Sequence, residues 1–174
     1  ESGFLPDLDA LTPDELNQTS VFFLCSPANP QGVVASKAYW TRLLTLAETY
    51  DFKIFADECY SEIYRTAPPP GALQVAAQMG ADPERVVAFH SLSKRSNLPG
   101  LRSGFVASGF KNISQIKQLR AYAGCPVAGP IQDVSAKVWS DEDHVVANRQ
   151  LYCGKFEVAD RSFAGIKSYN SPQA

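Results

Sequence analysis

Two hydrophobic periods alternate along this chain. Val21-Phe22-Phe23-Leu24-Cys25 is an unbroken apolar run that stops at Ser26-Pro27-Ala28-Asn29-Pro30-Gln31-Gly32. Such a run bounded by proline and glycine predicts a buried strand and a turn. Ser36 can then cap a helix in which Tyr39, Trp40, Leu43, Leu44, Ala47 and Tyr50 recur at helical spacing. Lys53-Ile54-Phe55-Ala56-Asp57 predicts a second strand, ending on a carboxylate. Pro68-Pro69-Pro70-Gly71 reads as a loop and residues 72–79 as a short helix. Residues 85–90 and 103–107 predict a third and a fourth strand, with Lys94 in the loop between them.

The last third reads as helical. Ile113, Ile116, Leu119, Tyr122 and Ala123 keep one period, and Pro130 can open a second helix carrying Ile131, Val134 and Val138. Ser140 with Asp143 has the spacing of a capping box. The helix it would start places Val145, Tyr152, Phe156, Ala159 and Phe163 on one face and, at about 1.5 Å per residue, would run roughly 35 Å. A helix of that length often bridges two domains. Residues 166–169 read as the start of a further strand, without partners at the end of the chain, which suggests a truncated piece. Strands alternating with helices predict an α/β architecture.

Composition narrows the function classes. With 45% apolar and 20% charged residues over 174 positions, the chain has the makeup of an ordinary globular domain, or one domain and the start of another. The formal net charge of -2 and the lack of a basic run argue against a nucleic-acid face. No apolar stretch approaches the roughly 20 residues a membrane span needs. The acidic start (Glu1, Asp7, Asp9, Asp14, Glu15) does not resemble a secretory signal. Cys25, Cys59, Cys125 and Cys153 are widely spaced and include no Cys-x-x-Cys pair, which fits four reduced thiols in the cytoplasm. With only His90 and His144 beside them, no metal site is expected.

Four polar groups fall at or just beyond the carboxyl ends of the predicted strands, where open α/β sheets bind ligands. They are Asn29, Asp57 with Tyr60, Ser91/Ser93/Lys94, and Arg102. Each alone has a plain structural explanation: a turn asparagine, a capping carboxylate, a packed tyrosine, a solvated lysine, a surface ion pair. Their order and spacing say more. Ser26 to Gly32, Asp57-Glu58-Cys59-Tyr60, and Ser91-Leu92-Ser93-Lys94 followed eight residues later by Arg102 and then Gly104 resemble, in that order, the motifs of the class I/II aminotransferases. The resemblance covers nearly the whole chain and leans toward the branch containing N-succinyldiaminopimelate aminotransferases.

That resemblance implies a fold-type I pyridoxal-phosphate enzyme. Residues 1–140 would be part of its large domain, a mixed but mostly parallel sheet flanked by helices. Residues 141–174 would be the interdomain helix and the beginning of the small domain. It implies that Lys94 holds the cofactor as a Schiff base and later moves a proton. A lysine of ordinary pKa ~10.4 is protonated at neutral pH, so both tasks need a site that favours the neutral amine. Asp57 would pair with the pyridine nitrogen, and Asn29 and Tyr60 would donate to the phenolic oxygen. Ser91, Ser93 and Arg102 would hold the phosphate through hydroxyls and a planar fork. His90 is read as a strand-end residue with no catalytic part. The state of the Asn29-Pro30 bond is left open, X-Pro being where cis bonds occur. The implied reaction is transfer of an amino group between an amino acid and a 2-oxo acid in amino-acid (lysine) biosynthesis, by a cytoplasmic homodimer. The family's remaining cofactor-binding loop, ring-stacking aromatic and carboxylate-binding arginine would lie outside this chain.

Three other functions compete. Ser91-Leu92-Ser93-Lys94 matches the Ser-x-x-Lys of some serine hydrolases, but so does Ser114-Gln115-Ile116-Lys117, and the partner motifs Lys-Thr-Gly and Ser-Asp-Asn are absent. A dinucleotide-binding module would need Gly-x-Gly-x-x-Gly after the first strand, and none exists. A C–S β-lyase, or a PLP-binding domain of a regulator, would use the same scaffold and the same residues.

Overall fold

The computed structural model describes residues 3–124 and 126–174. Its elements run α1 (Pro13–Gln18), β1 (Val21–Cys25), α2 (Lys37–Thr49), β2 (Lys53–Asp57), α3 (Ala72–Met79), β3 (Val86–Ser91), α4 (Leu92–Arg95), β4 (Gly104–Ser108), α5 (Phe110–Tyr122), α6 (Gly129–Trp139) and α7 (Asp143–Phe163), with three short 3-10 turns between them. The four strands form one sheet in the order β1-β2-β3-β4. The first three are parallel and β4 returns antiparallel to β3. This is the α/β architecture the alternating pattern predicts, with the mixed, mostly parallel sheet that the resemblance implies. Parallel neighbours need crossovers, which are usually helical, and α2 and α3 supply them here.

Period-2 alternation decides which face is covered. Leu24, Ile54, Ala56, Val86 and Ala88 pack with Trp40, Leu43, Leu44 and Ala47 of α2 and Val75 and Ala76 of α3. Trp40 satisfies its indole N–H on the Pro70 carbonyl at 3.1 Å, which closes the proline-rich loop over the helix. Ser36 caps α2 by accepting from the Tyr39 amide, as its position before the apolar period predicts. On the opposite face Phe23, Phe55 and Phe89 form a ring-on-ring row at 5.2 and 5.5 Å. Phe23 at its end is exposed. Leu44 is fully buried, so Leu44→Ala is expected to lower stability by about 2–5 kcal/mol, measured by urea unfolding.

Several local expectations are corrected. β3 and β4 each begin and end one residue later than the sequence suggests. Arg85 belongs to a 3-10 turn capped by Asp82, and Ser91 still pairs with Gly104. A Cβ on Gly104 would stand 2.3 Å from the His90 carbonyl oxygen, so the two strands meet there only because the side chain is missing. Lys94 lies in the one-turn helix α4, capped by Ser91, and not in a loop. The box at Ser140 and Asp143 does not form: the Ser140 hydroxyl donates to Lys137 O, and Asp141 accepts the Asp143 amide. Residues 166–169 turn, with Tyr169 N donating to Ile166 O, and make no strand. Leu119 and Tyr122 of α5 are exposed, so its apolar face is only partly packed.

After α7 the chain returns to the first turn. Gln173 donates its amide to Gly32 O at 2.7 Å and accepts from Val34 N at 2.8 Å. Gly32 has φ +62°, and a Cβ there would lie 2.5 Å from Pro172 Cβ, so both backbone shape and space demand glycine. Arg65 ties this tail to α7 through Asp160 and Ser171. Among the described residues no helix is long and apolar enough to cross a membrane. Cys25, Cys59 and Cys153 are free thiols; Cys125 lies outside the described residues.

Candidate active site

The carboxyl ends of β1, β2 and β3 bring the predicted polar residues to one edge of the sheet. Register places Asp57 beside Cys25 on one side and Phe89 on the other. The Asp57 side chain is exposed beyond the strand end. Its Oδ1 accepts the Cys59 amide at 3.0 Å, which holds the carboxylate at the rim. No basic side chain among the described residues forms an ion pair with it. Burial, helped by the hydrogen bond and charge of Asp57, pushes the Cys59 thiol up to about 12. Burial likewise raises the Cys25 thiol. Neither sulfur is therefore poised as a nucleophile.

The turn after β1 carries Asn29 across to the segment after β2. Ser26 anchors the turn: its amide donates to Asp57 O at 3.0 Å and its hydroxyl accepts from Ala35 N at 3.0 Å. Both Ser26-Pro27 and Asn29-Pro30 are cis. Asn29 Nδ2 donates to Tyr60 Oη at 2.8 Å. An amide nitrogen has two N–H groups and a phenol keeps its own proton. Each side chain thus retains one donor for a further acceptor placed between them. Lys94 Nζ stands 5.5 Å from the centre of the Tyr60 ring and takes part in no ion pair.

Beyond β3 the donors gather around a cleft of about 390 Å³ whose walls include Ser91, Ser93, Arg102, Gly104 and Arg120. Ser91 Oγ accepts the Ser93 amide at 3.1 Å and donates to Ser93 Oγ at 2.9 Å. Arg102 sits in the left-handed region at φ 52° and gives one guanidinium N–H to Pro99 O at 2.9 Å. A non-glycine residue held there persists only where the surroundings over-determine it, and such residues cluster at ligand sites. Among the described residues the rest of its fork makes no further hydrogen bond and no ion pair. Ser91 and Arg102 are not bonded to each other; they share the cleft.

The structure also adds residues that the motifs do not single out. Glu58 is buried directly after Asp57: its Oε1 accepts from Ala72 N at 2.7 Å, at the start of α3 where Gly71 has no side chain to offer. Its Oε2 lies 3.3 Å from His90 Nε2, and His90 stacks on Phe105 at 4.8 Å. His90 thus links the end of β3 to Glu58 and Phe105, and it also lines the cleft. Arg120 lines the cleft from α5, and helical spacing with Ile116 is the only sequence signal that points to it. Ser91, the candidate hydrolase nucleophile, gives its hydroxyl to Ser93 Oγ at 2.9 Å and to Ser103 O at 3.4 Å, and among the described residues no histidine, lysine or carboxylate is hydrogen-bonded to it. Among the described residues no group of three His, Cys, Asp or Glu side chains could hold a metal ion.

Comparison with known proteins adds an independent line. The family model for "Aminotransferase class I and II" matches residues 1–170. The LL-diaminopimelate aminotransferase of Desulforudis audaxviator is 36% identical over 124 residues, covering 69% of this chain and 30% of that protein. A 4-dedimethylamino-4-oxo-anhydrotetracycline transaminase of Streptomyces rimosus is 33% identical over 145 residues, 83% of this chain and 40% of its own length. Among solved structures, an aminotransferase from Neisseria meningitidis superposes with a TM-score of 0.92 at 40% identity, over 99% of this chain and 44% of that one. A probable N-succinyldiaminopimelate aminotransferase from Thermus thermophilus shares the fold at a TM-score of 0.88 and 24% identity, over 100% of this chain and 46% of that one. The chain spans less than half the length of these relatives.

Proposed function

Because the chain belongs to the class I and II aminotransferase family, a family that depends on pyridoxal phosphate, we propose that the full-length protein moves an amino group between an amino acid and a 2-oxo acid. One observation carries this reading. An exposed carboxylate with no ion pair among the described residues, a lysine over a tyrosine ring, and a cleft whose lining includes Ser91, Ser93 and Arg102 share one edge of the sheet.

The donor set fits the cofactor. Asp57 presents an exposed carboxylate to a protonated ring nitrogen. Asn29 and Tyr60 each keep a donor for a phenolic oxygen. Ser91, Ser93 and Arg102 offer hydroxyls and a fork for a phosphate. When bound, pyridoxal phosphate supplies an aldehyde for the substrate amine and a ring that draws electrons from the substrate α-carbon. Lys94 would hold the cofactor through Nζ, and as a neutral amine it would take the proton from the substrate α-carbon and deliver it to the carbon on the far side of the nitrogen, a 1,3-shift. Asp57 keeps the proton on the ring nitrogen. Asn29 and Tyr60 orient the ring, and Arg102 with the serines fixes its far end.

Relatives named LL-diaminopimelate aminotransferase support a substrate of the diaminopimelate type and a place in amino-acid biosynthesis. Residues 1–140 as part of a large domain, 141–174 as interdomain helix and start of a small one, and a homodimer in the cytoplasm belong to the same proposal. The test is to load the full-length protein with pyridoxal phosphate, reduce with borohydride, digest, and locate the modified peptide by mass spectrometry. A pyridoxyl group on Lys94 is expected. A folded protein with no adduct there would sink the assignment.

A further inference from the structure

Resting on the assignment of Lys94 above, we propose that Arg95 is a positioning residue for Lys94, tying the turn that carries it to the elbow between α6 and α7. Helix α4 is a single turn. Too short to hold its own attitude, it takes its orientation from what it is bonded to. Lys94 is half-buried, while its neighbour Arg95 is buried. The Arg95 guanidinium donates to Val138 O at 3.1 Å, Trp139 O at 3.4 Å and Asp141 O at 3.5 Å. It pairs with Glu142 and lies 4.9 Å from the centre of the Trp139 ring. The Val138 and Trp139 carbonyls end α6, where helical donors have run out and a cation is favoured. One side chain therefore caps α6 and reaches the residue before α7.

Two side chains from the first turns of α7 take hold of the same segment. Asn148 Nδ2 donates to the Lys94 carbonyl at 3.4 Å. His144 Nε2 lies 2.9 Å from Ser96 Oγ, and its Nδ1 is 3.0 Å from Asp141 Oδ2. The backbone on either side of Lys94 is thus pinned to the elbow, while its Nζ reaches the Tyr60 ring. A surface ion pair with Glu142 would contribute little by itself. A buried fork holding three carbonyls defines a position. Lysine in its place keeps the charge but loses the planar fork, and a displacement of about 1 Å at a reacting group can cost on the order of 10²-fold in rate.

The experiment uses the full-length protein loaded with pyridoxal phosphate, as wild type, Arg95→Lys and Asn148→Ala. Three readouts are taken: borohydride trapping at Lys94, the absorbance of the lysine-bound cofactor titrated against pH, and thermal unfolding. Both variants are expected to be trapped at Lys94. The titration midpoint in Arg95→Lys should move by about half a pH unit or more, and that in Asn148→Ala in the same direction by less. Since arginine and lysine carry the same charge, such a shift reports geometry. A purely structural role would lower the unfolding temperature and leave the midpoint alone, which overturns the proposal. Should Arg95→Lys fail to fold, Asn148→Ala, which removes one long hydrogen bond, decides in the same way. A wild type not trapped at Lys94 refutes the cofactor assignment; trapping with unmoved midpoints refutes only the role of Arg95.

Discussion

Lys94→Ala and Lys94→Arg are both expected to abolish borohydride trapping of the cofactor and to lower turnover by about 10²–10⁴-fold, the range a positioned proton-transfer group contributes. The two variants separate chemistry from electrostatics. Lys94 Nζ stands 5.5 Å from the centre of the Tyr60 ring, and a cation at such a place is worth about 0.5–2 kcal/mol. Arginine preserves that contact. It cannot give up its proton at any working pH, so it can neither bond the cofactor carbon nor accept a proton from the substrate. If Lys94 served only to place a positive charge in the site, Lys94→Arg would recover most of the loss. Equal losses assign the work to the neutral amine. The readouts are the adduct mass on the peptide containing residue 94 and the rate at which cofactor absorbance changes after an amino donor is added. Retention of turnover in Lys94→Arg would sink the assignment. Neither variant is expected to unfold the protein, since among the described residues Lys94 makes no ion pair and the cap of its helix is Ser91.

How much of this was legible in the sequence depended on the distance over which each contact acts. β1, β2, α2 and α3 are set by unbroken apolar runs, a serine cap and glycine or proline stops, all local signals, and the pattern places them where the structure has them. Asn29, Asp57, Tyr60, Ser91, Ser93 and Lys94 lie at or after the carboxyl ends of β1, β2 and β3, and Arg102 just before β4, at the same edge of the sheet. Their mutual contacts were not legible. Asn29 reaches Tyr60 across 31 positions of sequence, and Arg95 reaches residues 43 to 47 positions away. No periodicity encodes either. α4 was missed because one turn has no period to detect; only the Ser91 hydroxyl accepting Ser93 N marks its start. The capping box failed for another reason. Asp141 and Ser140 both compete for backbone partners around residue 140, and the nearer pairings win. Ile166 and Tyr169 are apolar and aromatic, but no strand lies beside residues 166–169 to complete a ladder, and a turn from Tyr169 N to Ile166 O forms there instead.

Asp57→Asn is expected to leave the cofactor covalently held at Lys94 while turnover falls roughly tenfold to 150-fold, the rate equivalent of losing a charge-assisted hydrogen bond of about 1.5–3 kcal/mol. Asparagine has the same shape and keeps an oxygen to accept the Cys59 amide, so the rim of β2 is preserved. The side chain is exposed, so no unsatisfied buried group is created. Only the negative charge that holds a proton on the ring nitrogen is removed, and with it the ring's capacity to draw electrons from the substrate. Trapping by borohydride, which needs Lys94 and not a protonated ring, should be unchanged. A second consequence can be read without the cofactor. Burial first, and then Asp57 by its hydrogen bond and its charge, raise the Cys59 thiol to about 12. Asparagine removes the charge, which lowers that value, so at a fixed alkaline pH more of the sulfur is thiolate and alkylation of Cys59 is faster. Faster alkylation with unchanged trapping and slower turnover places the Asp57 carboxylate where the structure has it. Undiminished turnover in a variant that shows the faster alkylation would remove Asp57 from the chemistry while leaving its geometry intact.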